Sequence, residues 1–188
     1  ILNVTPDSFF DGGKFREVSS AVAHGLEMAE QGADIIDVGG ESTRPGSSGT
    51  GTDEEIARVV PVIKQLRNKT KAAISVDTTK AEVARRAMTE GAHIINDVSA
   101  LESDPGMIDV AKKYGAGVVL MHMRGTPSTM QEKPEYPDVV GDVAGYLENR
   151  ISDLAGCGLD PLTMAIDPGI GFGKTVEHNL CLLAKLER

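Results

Sequence analysis

Six short apolar runs punctuate the chain, at residues 1–4, 33–38, 72–76, 92–95, 116–121 and 162–166. They are nearly continuous and rich in Ile and Val, as strands buried on both faces of a parallel sheet are. Amphipathic segments lie between them. Val18, Val22, Leu26 and Ala29 form one helical stripe. Thr52-x-x-Glu55 reads as a capping box that opens a helix containing Ile56, Val59, Val60 and Ile63. Pro61 within it predicts a kink or a division. Thr79-x-x-Glu82 reads as a second capping box, with Gly91 as the C-terminal cap. Asp104-Pro105 predicts a further helix start that Gly115 ends, and residues 139–155 and 176–186 complete the helices.

Strand and helix thus alternate six times, which predicts an α/β fold with right-handed crossovers. Two architectures fit this order: a doubly wound open sheet, or a (β/α)8 TIM barrel of which about six of the eight units are present. The polar residues at the strand ends favour the barrel. They are Asn3, Asp37 with Glu41, Asp77, Asn96 with Asp97, His122, and Asp167. In a barrel these ends converge on one rim, where sites are assembled from several strands. About half of them would serve only as turn or helix caps. The 188 residues are expected to form a single domain. Ile1 stands inside an expected strand and Arg188 inside an expected helix, so the sequence is expected to be a piece of a longer chain.

Charge and composition narrow the function. The net charge of −9 argues against a nucleic-acid partner, which needs a basic footprint. No apolar run approaches the roughly 18 residues of a membrane helix, and no signal peptide is expected. Cys157 and Cys181 cannot form a disulfide framework, which suits a reducing cytoplasm, and both are expected to be packing thiols. Trp is absent and aromatic residues are 4% of the chain, so the core must be aliphatic.

Several loops carry more chemistry than a turn requires. Residues 5–13 hold Asp7, Asp11, Phe9, Phe10 and a Gly-Gly pair, which suits a lid closing on a flat ligand. Ser42, Thr43 and Arg44 follow Gly39-Gly40-Glu41, and hydroxyls beside an Arg suit an anion such as phosphate. Asp77 and Asp167, each closing an apolar run, could grip a nitrogen-rich heterocycle beside the amide of Asn96. Each charge-assisted contact of that kind contributes about 1.5–3 kcal/mol. The run 169–175 is not a phosphate loop, because Pro168 stands where the first Gly is needed. It would instead bring backbone close to a ligand, with Phe172 as a wall. The histidines His24, His93, His122 and His178 form no metal-ligand spacing. His24 and His178 read as filler, and Met121 and Met123, which flank His122, as at least partly core.

Several motifs together resemble the dihydropteroate synthase family: Ile1-Leu2-Asn3-Val4-Thr5-Pro6-Asp7-Ser8-Phe9, Gly39-Gly40-Glu41-Ser42-Thr43-Arg44-Pro45-Gly46, Ser75-Val76-Asp77-Thr78, Ile95-Asn96-Asp97, Met121-His122-Met123 with Met130-Gln131, and Asp167-Pro168-Gly169-Ile170-Gly171-Phe172-Gly173-Lys174. The resemblance spans essentially the whole chain. It implies a TIM barrel that condenses a dihydropterin-methyl diphosphate with p-aminobenzoate and releases pyrophosphate. It implies Asn3 as a ligand of Mg2+, Thr43 and Arg44 on the diphosphate, and Asp77, Asn96 and Asp167 on the pterin with Met121 and Phe172 nearby. Phe9, Asp11 and Pro45 would complete the p-aminobenzoate pocket from two loops. Arg44, Asp77, Asp167 and Asp11 would carry the catalysis. A homodimer is expected of the full-length protein. Phe10 replaces a small Ser common in the family, and the family's Ser-x-Lys and Arg-x-His strands are absent. Little turnover is therefore expected of these residues alone. The alternatives are a pterin-dependent methyltransferase barrel, a non-catalytic pterin-binding fragment and, more distantly, a metal-dependent hydrolase.

Overall fold

A computed structural model describes residues 1–5, 13–42, 49–126, 129–130 and 134–187. The six expected strands all form: β1 Leu2–Asn3, β2 Ile35–Gly39, β3 Ala73–Asp77, β4 Ile94–Asp97, β5 Gly117–Met121 and β6 Met164–Asp167. They make one parallel sheet in strictly sequential order. That order is the arc of a (β/α) barrel; a doubly wound sheet would reverse direction partway.

The helices α1 Gly13–Glu30, α2 Thr52–Arg67, α3 Ala81–Thr89, α4 Gly106–Tyr114, α5 Val139–Gly156 and α6 Val176–Leu183 alternate with the strands. One strand face packs on them through Ile36, Val38, Ile74, Val76, Ile95, Val118 and Leu120, all buried. Burying a side chain of this size contributes about 1.5–3 kcal/mol, so the helix layer fixes the sheet's curvature and frees the other face for polar groups. No helix among the described residues is long and apolar enough to cross a membrane.

Local signals at the helix ends succeed unevenly. Pro105 has helical dihedrals and Asp104 Oδ1 accepts the Gly106 N–H at 2.9 Å, as a cap should. Gly91 and Gly115 both adopt positive φ where α3 and α4 stop. Neither expected capping box forms. Gly51 precedes α2 without a side-chain cap, and Lys80 does the same before α3. Glu55 is fully buried and pairs with Lys80 at 2.6 Å; Glu82 pairs with Arg85 and Arg86. A cation outcompetes the backbone N–H in each case, from 25 residues away for Glu55 and from the next turn of the same helix for Glu82. Pro61 does not divide α2. Val59, Val62, Ile63 and Leu66 are fully buried on both sides of it, and this packing offsets the missing hydrogen bond. A capping box does form before α6, where Thr175 and His178 exchange side-chain bonds, so His178 is no mere filler. Cys157 is exposed and is not a packing thiol.

Candidate functional site

In a parallel sheet, residues in register project to the same side. One row on the face away from the helices therefore holds Asn3, Gly39, Asp77, Asn96, Val119 and Ala165. Asp37 and Ser75 stand in the row below, toward the strand starts, and Met121 and Asp167 in the row above. The strand register thus brings Asn3, Asp77, Asn96, Met121 and Asp167 to one face of the sheet. Thr43, Arg44, Pro45, Phe9 and Asp11 lie outside the described residues.

The lower row is polar without being fully paired. Asn96 Nδ2 donates to Asp37 Oδ2 at 3.1 Å, which turns the amide oxygen away from Asp37. Asp37 Oδ1 and Ser75 Oγ are buried with no hydrogen-bond partner among the described residues. Orphaned buried oxygens mark places where a ligand or an ordered water belongs. Burial, reinforced by the nearby negative charge of Asp37, pushes the Asp77 carboxyl up to about 7. From sequence, Asp37 is visible as a strand ending but has no assigned role. Its spacing of two from Gly39 was the available signal, since it puts both on one face.

Gly39 keeps a gap open between two oxygens. A Cβ there would stand 3.3 Å from Asp77 Oδ2 and 3.6 Å from Asn3 Oδ1, so both oxygens border the same space. Asn3 itself is exposed at the end of β1. Among the described residues, no cluster of three or more His, Cys, Asp or Glu forms a metal cage. A lone amide oxygen near a carboxylate suits a hard cation that keeps most of its water, as Mg2+ does.

Three strand-end groups face elsewhere. Asp97 is on the helix side, fully buried, and accepts from the N–H and hydroxyl of Ser99. Burial pushes its carboxyl up, and the Ser99 bonds offset part of that. Glu41 accepts the Thr50 N–H at 2.9 Å and pairs with Lys80. Burial opposes the Lys80 charge, but the bonds to Glu41 and Glu55 outweigh it and hold the ammonium above its ordinary range. His122 alternates with Met121 and is buried among Tyr136, Tyr146 and Lys174. Burial, with the Lys174 charge added, pushes its ring down to about 4, so it is neutral at pH 7. His93 is structural too: its Nδ1 accepts the Ile74 N–H.

Asp167 combines both readings expected of it. Its Oδ1 caps the following turn by accepting the Gly169 N–H at 2.7 Å, yet the side chain stays half-buried on the shared face. Gly169 has φ 68°, and a Cβ there would stand 2.0 Å from the His122 carbonyl oxygen. Phe172 is half-buried beyond that turn.

Carboxylates and an amide thus line the helix-free face of a barrel arc. A family profile described as pterin binding enzyme matches residues 1–188, and the chain belongs to that family. It is 48% identical to the dihydropteroate synthase of Escherichia coli over 186 residues, covering 99% of this chain and 66% of that protein. It is 43% identical to the dihydropteroate synthase of Synechocystis over 186 residues, covering 99% of this chain and 64% of that one. The Yersinia pestis dihydropteroate synthase solved with a sulfonamide drug superposes with a TM-score of 0.91 at 44% identity, over 98% of this chain and 67% of that one. The Xanthomonas albilineans enzyme in complex with 7,8-dihydropteroate gives 0.86 at 46% identity, over 98% of this chain and 64% of that one. The chain thus spans about two thirds of the length of the curated relatives it matches.

Proposed function

We propose that the chain is the greater part of a dihydropteroate synthase, condensing a (7,8-dihydropterin-6-yl)methyl diphosphate with p-aminobenzoate to give dihydropteroate and pyrophosphate. The observation that carries this reading is the row of Asp77 and Asn96 in register, with Asp167 one row above. The Asp77 carboxylate accepts ring N–H groups, the Asn96 oxygen accepts another, and Asp167 offers its second oxygen. Met121 and Phe172 flank the ring plane. Asn96 presents its oxygen because Asp37 occupies its N–H. The site therefore selects a ring with N–H donors along one edge.

The reaction needs no covalent enzyme intermediate. The bond from the exocyclic methylene to diphosphate oxygen breaks, and its electron pair leaves with the diphosphate. The electron-rich ring stabilises the cationic methylene. The arylamine nitrogen then bonds to that carbon and releases one proton. Positioning and electrostatic stabilisation are the protein's contribution. Thr43 and Arg44 are assigned to the diphosphate, and Phe9, Asp11 and Pro45 to the p-aminobenzoate pocket. Mg2+ held by Asn3 supplies positive charge against the leaving group when it is bound.

Asp77→Ala tests the assignment. Losing a charge-assisted contact of about 2 kcal/mol raises the Kd for a dihydropterin roughly thirtyfold in calorimetry. An unchanged Kd removes Asp77 from the site. In the unsubstituted chain, affinity should improve as pH rises through about 7, because only the ionised Asp77 accepts two N–H groups.

A further inference from the structure

Lys174 is 3% exposed, a burial almost never tolerated for a lysine without partners. Its partners come from two neighbouring strand mouths. Nζ donates to the Gly169 carbonyl at 2.9 Å and the Phe172 carbonyl at 2.9 Å, both after β6. It also donates to the His122 carbonyl at 3.1 Å, after β5, and lies 3.1 Å from His122 Nδ1. The same turn is held by the Phe172 N–H on the Gly169 carbonyl, and by the Tyr136 hydroxyl on the Gly173 carbonyl at 3.0 Å. Gly169 and Gly173 have no room for a side chain against the carbonyls of His122 and Arg124. The turn therefore has one seating, and the ammonium holds it from beneath.

We propose that Lys174 is a positioning residue of the ring site: its ammonium ties the β5 and β6 mouths together and so sets where Asp167 and Phe172 stand. This rests on the pterin-site reading. Asp167 lies between the two tied points. Its backbone carbonyl accepts the His122 N–H, and its Oδ1 accepts the Gly169 N–H. A shift of the Gly169 turn must rotate that carboxylate. Lys174 acts through the carbonyls it holds.

The role depends on the proton. An ammonium has three hydrogens for three carbonyls, and an amine has two. Burial pushes Lys174 down to about 8, and the negative charge of Asp167 opposes that shift in part. Among the described residues, the other titratable group against it is His122, which in turn faces Arg124 after β5, Tyr136, and Asp142 on α5, with His178 on α6 against Tyr136. His122 is already neutral at pH 7.

The test is dihydropterin affinity from pH 6 to 9.5, measured by calorimetry on the full chain and on Lys174→Met. A dihydropterin keeps its ring N–H across this range. The unsubstituted chain should bind about tenfold more weakly at pH 9.5 than at 7.5. Lys174→Met should bind about tenfold more weakly at pH 7.5 and show no further loss above it, while keeping the improvement through pH 7 that belongs to Asp77. Affinity level from pH 7.5 to 9.5 in the unsubstituted chain overturns the proposal, as does a loss that persists in the variant. If Lys174→Met does not fold, amide resonances of Gly169 and Gly173 in the unsubstituted chain decide: a midpoint near pH 8 supports the role, and resonances that do not move overturn it. Absence of the improvement through pH 7 counts against the ring-site reading alone.

Discussion

Along the inner face of β2, β3 and β4, carboxylates outnumber their partners; at the mouths of β5 and β6, one ammonium serves three carbonyls. In the first region Asp37, Asp77 and Asn96 share a face, and Asp37 Oδ1 has no partner among the described residues. In the second, Lys174, His122, Asp167 and the backbone of residues 169–173 bond to one another. A buried polar group left unpaired costs about 1–3 kcal/mol. The first region therefore carries an unmet cost, and the second is rigid. On the proposed reading, recognition and support are separate jobs done on adjacent strands.

The largest effect expected is on the rigid side. Gly169→Ala places a Cβ 2.0 Å from the His122 carbonyl oxygen at a positive φ, so the turn cannot keep its seating. Urea unfolding should show a loss of about 4 kcal/mol or more, in the range reserved for overpacking and strain. A loss under about 1 kcal/mol would mean the turn is soft, and the contrast between the two regions would dissolve.

Next comes the rim of the acidic side. Lys80→Met leaves Glu55, which is fully buried, without its cation. Breaking such a pair from one side costs about 3 kcal/mol, and Glu55→Gln in the same background should recover most of it. Both are read from denaturant midpoints. Failure of the double variant to recover would show that Lys80 stabilises mainly through Glu41.

A pH series sharpens the acidic centre. Folded Asp77 keeps its proton up to about pH 7, whereas the unfolded chain releases it near 3.8. Between those values the folded state binds more protons, so its stability falls as pH rises from about 4 to 7 and levels off above. Asp77→Asn should flatten that window and be the more stable protein at pH 8. An unchanged slope would place the titrating group elsewhere.

Much of this was readable along the chain. The six runs became six strands within one to two residues at each end, because Ile- and Val-rich stretches between turn formers have few other stable choices. Residues 139–155 and the Asp104-Pro105 start were read correctly for the same local reason. Asp77, Asn96 and Asp167 could be picked out as polar groups closing buried strands. Asp97 and His122 looked equivalent to them and are not, since a single residue's offset puts a strand side chain on the opposite face.

Sequence by itself determined the alternation of elements, the parallel sheet and the set of polar strand endings, since these follow from propensities and periods acting within about four residues. Tertiary structure decided which of those endings share a face, that Glu55 turns to Lys80 rather than to its own helix start, and that Lys174 closes three carbonyls from two loops. The physical reason is range. A buried charge takes whatever partner the fold brings within about 3 Å, and that partner lies 25 residues away for Glu55 and 52 for Lys174.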